Sequence, residues 1–220
     1  MPKATRDTLL NTLATPDPEV LRLLDEADEI TERILAAAFE QIAVVGWRRS
    51  TVEDVAKRAG LGRATVYRKF PSKNALTEAV LLSELRKYLA GSTAATSTQP
   101  TATERMAESC AYTVEFLHGH PLLRRLLETE PEAVLPALTT GAAPIVDLFQ
   151  EFCVTLWKRE FYGDTAVSED TLRHLRTVAE LHIRITLSLI LTQPSSIPLD
   201  TADQARDFAR RYLAPMLDAE

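Results

Sequence analysis

The chain has 220 residues, of which 45% are hydrophobic and only seven are glycine, so it can bury a full core and favours helix over strand. Its net charge of −6 does not by itself indicate a nucleic-acid partner, and no segment approaches the run of about 18 apolar residues that a membrane span needs. Cys110 and Cys153 lie in apolar stretches and the N-terminus has no apolar signal core, so we expect a cytoplasmic protein with two buried, reduced thiols.

The first segment of the chain is polar and ends in a Pro-Asp-Pro sequence, which predicts a flexible N-terminal arm over residues 1–17. Lys3 and Arg6 in this arm could reach a DNA minor groove, but an ordinary disordered tail has the same composition. Apolar residues then recur at steps of three and four as far as Val45, which predicts an amphipathic helix that Gly46 ends.

Two short helices are predicted next. Thr51 begins the first, because its hydroxyl can accept a free backbone N–H and two acidic residues follow in the first turn. Gly60 ends it after eight residues, and a further short helix is predicted from about residue 63 to Phe70. Ser72 then caps a long fourth helix.

Residues 91–103 contain no charge and no large apolar side chain, which predicts a linker or loop. The helices predicted after it are separated by proline-marked breaks and cover about 104–119, 121–129, 142–161, 169–192 and 201–218. No strand-like alternation occurs, so the predicted fold class is all-α, with an N-terminal domain over 18–90 and a larger helical domain over 104–220.

Positive charge is concentrated in one segment of this acidic chain. Between Gly46 and Lys73 there are eight basic and two acidic residues, a net charge of +6, so the remainder carries −12. A basic island on an acidic protein fits local contact with a polyanion, although a solvated surface that happens to be basic is the alternative.

Two short helices joined by a glycine-containing corner, with basic residues on the second, predict a helix-turn-helix. Residues 51–76 read TVEDVAKRAGLGRATVYRKFPSKNAL, with Ala-Gly at the corner, a Tyr and a Phe in the second helix, and Ser-Lys after it. On these residues the stretch from about Ala27 to Leu76 resembles the TetR (tetracycline-repressor-like) family. The resemblance implies a DNA-binding, operator-specific regulator with a three-helix N-terminal domain.

The resemblance also implies DNA-contact roles for particular residues, with Thr51, Tyr67 and Lys73 near phosphates and the others on the groove-facing helix. The predicted DNA-binding residues are Thr51, Arg63, Ala64, Thr65, Tyr67, Arg68, Lys69 and Lys73. Tyr67 could instead pack against the first helix, and Arg48 and Arg49 could be either DNA contacts or solvated charges. Gly62 and Lys69 depart from the family pattern, so the operator sequence does not follow from the family.

The C-terminal half contains no catalytic constellation and no phosphate-binding glycine loop. His118 and His120 are the single candidate pair of metal ligands, and a polar helix cap before Pro121 is the favoured interpretation, so we predict no metal, no cofactor and no enzyme activity. Aromatic side chains in this half either fill a core or line a pocket, and the resemblance favours a pocket for an apolar or amphipathic effector. The predicted ligand-binding residues are Tyr112, Phe116, Phe149, Cys153, Trp157 and His182.

The last two predicted helices are long and amphipathic, and the resemblance implies that they form a four-helix bundle across a two-fold axis. The predicted dimer interface consists of Leu172, Leu175, Leu189, Phe208, Tyr212 and Leu213, although an intramolecular core would use the same residue types. The implied mechanism is a homodimeric repressor that an effector releases from operator DNA. A helical enzyme and a DNA-binding protein without an effector remain as alternatives.

Overall fold

The computed structural model describes residues 16–192 and 195–217, and all regular secondary structure in these two stretches is helical. The helices, numbered α1 to α11 in chain order, are Pro18–Asp25, Glu29–Val45, Val52–Arg58, Arg63–Lys69, Lys73–Ser97, Ala102–Gly119, Pro121–Thr129, Pro131–Leu138, Ala143–Trp157, Glu169–Leu191 and Ala202–Phe208. A π-helical turn, Lys158–Tyr162, continues α9, and α11 continues as a π-helical turn, Ala209–Leu213, and a 3-10 turn, Ala214–Leu217. The all-α prediction is confirmed.

None of the described helices combines the length and the apolar composition that crossing a bilayer requires. The predicted arm over residues 1–17 lies outside the described residues except for its last two. There Asp17 caps α1, its side chain accepting a hydrogen bond from the backbone of Glu19 at 2.8 Å.

The helix ends around the basic island follow local signals. Gly46 ends α2 with φ of +85°, a backbone conformation open to glycine. Thr51 caps α3, its hydroxyl accepting the Asp54 N–H at 3.1 Å, and Ser72 accepts the Ala75 N–H at 3.0 Å at the start of α5. These ends agree with the predicted ones.

The chain divides into two compact units, of which unit 1 contains residues 1–87 and 120–145. The three helices of the helix-turn-helix region share a core in which the fully buried side chains include Ile34, Val66 and Phe70. Leu122 and Leu126 of α7 and Val134 of α8 belong to the same buried cluster.

This division differs from the predicted domains, which placed residues 120–145 in the C-terminal domain. The physical reason is the amphipathic character of α7, whose leucines pack into the core of unit 1. The helix α8 was not predicted, because Pro131 and Pro136 were interpreted as breaks, whereas Pro131 occupies the first helical position, where its missing N–H costs nothing.

The predicted linker over 91–103 is wrong in its first part, because α5 continues to Ser97 and α6 begins at Ala102. Ser92 and Thr96 are buried. The Thr96 hydroxyl donates to the Ser92 carbonyl at 3.1 Å, so this buried hydroxyl finds its hydrogen-bond partner within the helix. A side chain at Gly91 would collide with the Tyr112 ring of α6, so this position needs glycine for close helix packing.

Unit 2 contains residues 88–119 and 146–220 and has its own core around Met106, Val154 and Trp157. Leu175 and Leu213, which were predicted at a dimer interface, are 1% and 4% exposed in this core. Their assignment to the interface is therefore corrected: both side chains are used within the protomer, as the alternative interpretation of the same residue types allowed.

Candidate nucleic-acid interface

The corner between α3 and α4 is a tight turn built on Gly60. Its φ of +65° turns the chain at the end of α3, and the Leu61 N–H donates back to the Ala56 carbonyl at 2.9 Å. The Arg33 guanidinium of α2 donates to the Ala59 carbonyl at 2.7 Å, so the end of α3 is also fixed from the first helix. The two short helices are thereby held as a crossed pair.

The helix α4 has one buried face and one exposed face. Val66 and Phe70 are 0% and 1% exposed and anchor the helix to the core of unit 1. The residues predicted to face DNA lie on the other side, where Arg63, Ala64, Tyr67 and Arg68 are exposed and Thr65 is half-buried. A short helix with a solvent-facing basic surface is the arrangement that a major groove accepts.

Arg63 stands at the start of α4 and contacts two neighbours. Its Nη1 lies 2.5 Å from Glu53 Oε1 of α3, and its guanidinium carbon lies 5.2 Å from the centroid of the Tyr67 ring. Tyr67 is 38% exposed, so its ring is not buried in the core and is accessible at the surface. Glu53 was not predicted as a site residue, and its sequence position indicated only an acidic residue in the first turn of α3.

Lys69 has an ion-pair partner within unit 1. Its Nζ lies 2.8 Å from Asp28 Oδ2, while Asp28 Oδ1 caps α2 by accepting the Thr31 N–H at 2.9 Å. The hydrogen bonds from Lys69 and Thr31 hold the pKa of Asp28 well below its ordinary value. Lys69 therefore joins the end of α4 to the residue that caps α2.

Lys73 lies at the first turn of α5 and is half-buried. Its ammonium group donates to the Arg48 carbonyl at 3.2 Å and stands 4.3 Å above the Trp47 ring, a cation–π contact. Burial lowers the pKa of Lys73, and the negative charge of Glu130 opposes this change. The turn before α3 is thus fixed to the start of α5.

A buried carboxylate supports the same turn. Glu130, between α7 and α8, is 4% exposed, and its Oε1 accepts the Arg48 N–H at 2.8 Å. The Arg48 guanidinium also pairs with Glu132 at 2.5 Å. Arg48 is therefore engaged by two acidic residues that lie more than 80 positions away, and neither of them was predicted to belong to the site.

Several of the eight basic residues of the island are balanced by acidic partners outside it. Arg58 pairs with Glu40 at 3.3 Å, in addition to the pairs formed by Arg48 and Lys69. Within the described part of the chain, Arg49, Lys57 and Arg68 are exposed cations with no ion-pair partner. This unpaired positive charge thus lies on α4, at the end of α3 and in the turn before α3.

Of the residues predicted to bind a ligand, three gather around one tyrosine in unit 2. Tyr112, Phe116 and Phe149 have ring centroids 5.8, 5.2 and 5.6 Å from that of Tyr88. The Tyr88 hydroxyl is 2.8 Å from Thr113 Oγ1. Tyr88 was not among the predicted ligand-binding residues, so its place at the centre of this aromatic cluster was missed.

A second group contains Trp157 and His182, whose rings meet edge to face at 5.8 Å, with Phe161 stacked on Trp157 at 6.4 Å. Burial lowers the pKa of His182 to about 4, although a hydrogen bond with the Leu213 backbone acts in the opposite direction. Its Nε2 has no hydrogen-bond partner among the described residues. His182 is thus a neutral, buried polar group.

The cysteines and the paired histidines have simpler environments. Burial raises the pKa of Cys110 to about 11 and that of Cys153 to about 12, so both thiols stay protonated. His120 caps α7, its Nδ1 accepting the Leu123 N–H at 3.1 Å, and its Nε2 lies 3.2 Å from Glu84. The polar cap predicted before Pro121 is confirmed.

Residues 34–80 match the family described as "Bacterial regulatory proteins, tetR family". Over 50 residues the chain is 38% identical to an uncharacterized HTH-type transcriptional regulator of Bacillus subtilis (strain 168), YvkB. That match covers 23% of this chain and only 26% of the relative's length. The chain thus spans about a quarter of the length of this relative, and the family match covers residues 34–80.

Solved structures resemble a larger part of the chain. The TetR family repressor AlkX of Dietzia sp. strain DQ12-45-1b, implicated in biodegradation of n-alkanes, aligns with a TM-score of 0.62 and 22% identity, over 84% of this chain and 96% of AlkX. The superantigen PfiT aligns with a TM-score of 0.53 and 18% identity, over 83% of this chain and 97% of PfiT. At these identities the two similarities concern the fold.

Proposed function

We propose that the chain, whose residues 34–80 match the TetR family of bacterial regulatory proteins, is a transcription repressor of that family. It binds a palindromic operator as a homodimer and releases it when a small molecule binds. The observation that carries this proposal is the exposed basic face of α4 opposite its buried Val66 and Phe70. The family also supports a regulator over a helical enzyme. We expect it to act in the cytoplasm, where operator DNA is accessible.

The DNA contacts that we propose fall into two groups, contacts with base edges and contacts with phosphates. Arg63, Ala64 and Thr65 read base edges, because the N-terminal part of a recognition helix contacts the bases of the major groove. Arg68 reads a base edge from the exposed face of the last turn of α4. Thr51, Tyr67 and Lys73 contact phosphates. Lys69 reaches a phosphate by leaving or sharing its ion pair with Asp28.

We propose that the homodimer forms through α10 and the C-terminal segment that begins with α11. Leu181 and Tyr212 are large apolar side chains that are 44% and 53% exposed on these segments, which is the area that a partner subunit would cover. Leu172, Leu189 and Phe208 are half-buried and can extend the contact. Two-fold symmetry would then present two copies of α4 to a palindromic site.

For the effector we propose an apolar or amphipathic molecule that binds among the aromatic side chains of unit 2. The cluster around Tyr88 offers apolar rings and two phenolic hydroxyl groups, one of which is paired with Thr113. His182 offers a neutral nitrogen that lacks a hydrogen-bond partner among the described residues. Cys153, with a protonated thiol, acts as a small apolar group. A compound that binds the DNA-incompetent state about 10–100-fold more tightly would shift the population away from DNA substantially.

The experiment for this proposal is selection of duplexes from a random pool by the purified protein, followed by sequencing. We expect an enriched inverted repeat whose half-site centres lie about 10 base pairs apart or at a multiple of that spacing. The two recognition helices of a dimer must enter the major groove on the same side of the duplex, and one helical turn is about 10 base pairs. An Arg63→Ala/Arg68→Ala double variant should enrich no such repeat. Failure of the wild-type protein to enrich any sequence would overturn the proposal.

The effector part has its own test, a thermal-shift screen of apolar and amphipathic compounds on the protein. We expect a compound that raises the melting temperature to weaken binding to the selected duplex as well. Both effects follow if the compound binds and stabilises the DNA-incompetent state. Stabilising compounds that leave duplex affinity unchanged would contradict induction and favour a DNA-binding protein without an effector.

A further inference from the structure

Arg63 occupies a position where its own charge is unfavourable. It is the first residue of α4, and a cation at a helix N-terminus meets the positive end of the helix dipole. The first turn of α4 contains no acidic residue, and its cap, Gly62, has no side chain that could accept a backbone N–H. The negative charge beside Arg63 comes from another element, Glu53 of α3, at 2.5 Å.

The guanidinium of Arg63 is held from two directions. Glu53 binds one of its nitrogens, while the Tyr67 ring, one helical turn along α4, lies 5.2 Å from its central carbon. An arginine side chain loses considerable rotamer freedom when it binds, and a partner that restricts it beforehand reduces this loss. The Arg63 side chain is nevertheless 59% exposed, so its guanidinium is accessible to a partner.

Stability does not explain this ion pair. Both side chains are more than half exposed, and ion pairs of that kind contribute little to folding. Nor does Glu53 help attract DNA, since a carboxylate on a surface that approaches phosphates repels them. What Glu53 does supply is a direction for the Arg63 guanidinium, which in this orientation can pair with the edge of one base.

We propose that Glu53 is a specificity-determining residue that acts through Arg63: its carboxylate orients the guanidinium toward a single base pair of the operator and lowers the affinity for all other DNA. This inference rests on the proposed DNA-binding function. It predicts that loss of the Glu53 charge changes specific and non-specific binding in opposite directions.

The test uses the full-length protein and two probes, the duplex selected by the wild-type protein and a duplex of the same composition in shuffled order. For Glu53→Gln we expect severalfold tighter binding to the shuffled duplex, because a negative charge is gone, and a specificity ratio lowered by about tenfold, because Arg63 is no longer oriented. Glu53→Asp keeps the charge but shortens the reach, so it should lower the specificity ratio while leaving affinity for the shuffled duplex unchanged.

Two controls separate this role from a general effect of charge. Glu40→Gln removes an equally exposed carboxylate that pairs with Arg58 at 3.3 Å, and it should leave the specificity ratio unchanged. In an Arg63→Ala background, Glu53→Gln should have no further effect on that ratio, since its partner is absent.

The outcomes are decisive in each direction. An unchanged specificity ratio for Glu53→Gln, or an equal loss for Glu40→Gln, would overturn the role of Glu53 while leaving the DNA-binding function intact. If the wild-type protein selects no duplex at all, the proposed function and this inference fall together.

Discussion

Replacing Gly46 by alanine should lower the free energy of unfolding by about 2–5 kcal/mol. Gly46 has φ of +85° and ψ of 167°, a region in which a side chain is strained, at a cost of about 1–3 kcal/mol. In addition, a Cβ atom there would lie 2.8 Å from Glu130 Oε1 and 3.0 Å from Thr129 Oγ1. The Glu130 carboxylate would have to move away from the Arg48 N–H that it accepts.

Urea denaturation of the two proteins measures this effect, and Gly62→Ala is the matched control. Gly62 has φ of −71° and no atom within 4 Å of an added Cβ, so alanine there should cost only about 0.5–1 kcal/mol, the difference between cap residues. Similar losses for the two variants would mean that the turn before α3 does not depend on glycine and on Glu130 as described.

Replacing Arg68 by alanine should weaken binding to the selected duplex by at least about tenfold and leave stability unchanged. Arg68 is exposed on α4, and among the described residues it has no ion-pair partner that would have to be given up on binding. A bidentate contact between arginine and a base contributes about 1–3 kcal/mol, and a homodimer would lose it twice. Fluorescence anisotropy with the labelled duplex measures the change.

Arg124→Ala is the control for this variant, because it removes one exposed positive charge of unit 1 from α7 rather than from α4. It should change the duplex affinity by less than about twofold, as expected of a charge away from the DNA. Equal losses in the two variants would indicate that net charge, and not the face of α4, determines binding.

The ends of the short helices could be predicted because their signals are local. The Thr51 hydroxyl accepts the backbone N–H of the residue three positions later. Gly46 and Gly60 have positive φ, and each follows closely on the end of a helix. The buried face of α4 was equally predictable, since Val66 and Phe70 have the spacing of one helical face.

The partners of the basic residues could not be predicted, because they are distant in sequence. Glu130 accepts a hydrogen bond from Arg48 82 positions away, and Asp28 pairs with Lys69 41 positions away. A count of charges in the island therefore overestimated the free positive charge. Sequence spacing gives no measure of such pairs until the helices that carry them are packed.

The linker prediction failed for a different reason. Small polar residues lack the bulk that marks a helix in a hydrophobic pattern, yet Ser92 and Thr96 are buried in α5. Because Gly91 has no side chain, the Tyr112 ring packs directly against the backbone of α5. Close packing of this kind holds the helix in place without large apolar side chains of its own. The aromatic cluster around Tyr88 was missed because the hydrophobic pattern of one helix does not show which rings of other helices it will contact.

The central claim, that residues 51–73 bind duplex DNA through their positive side chains, is tested most directly by the salt dependence of affinity for the selected duplex. Each neutralised phosphate contributes about −0.9 to the slope of log affinity against log salt concentration, so two contacts from each subunit of a dimer predict a slope of about −3.6 or steeper. Lys73→Ala should make that slope less steep by about 1.8, because each subunit loses one contact. A slope near zero for the wild-type protein, or one that Lys73→Ala leaves unchanged, would contradict the account.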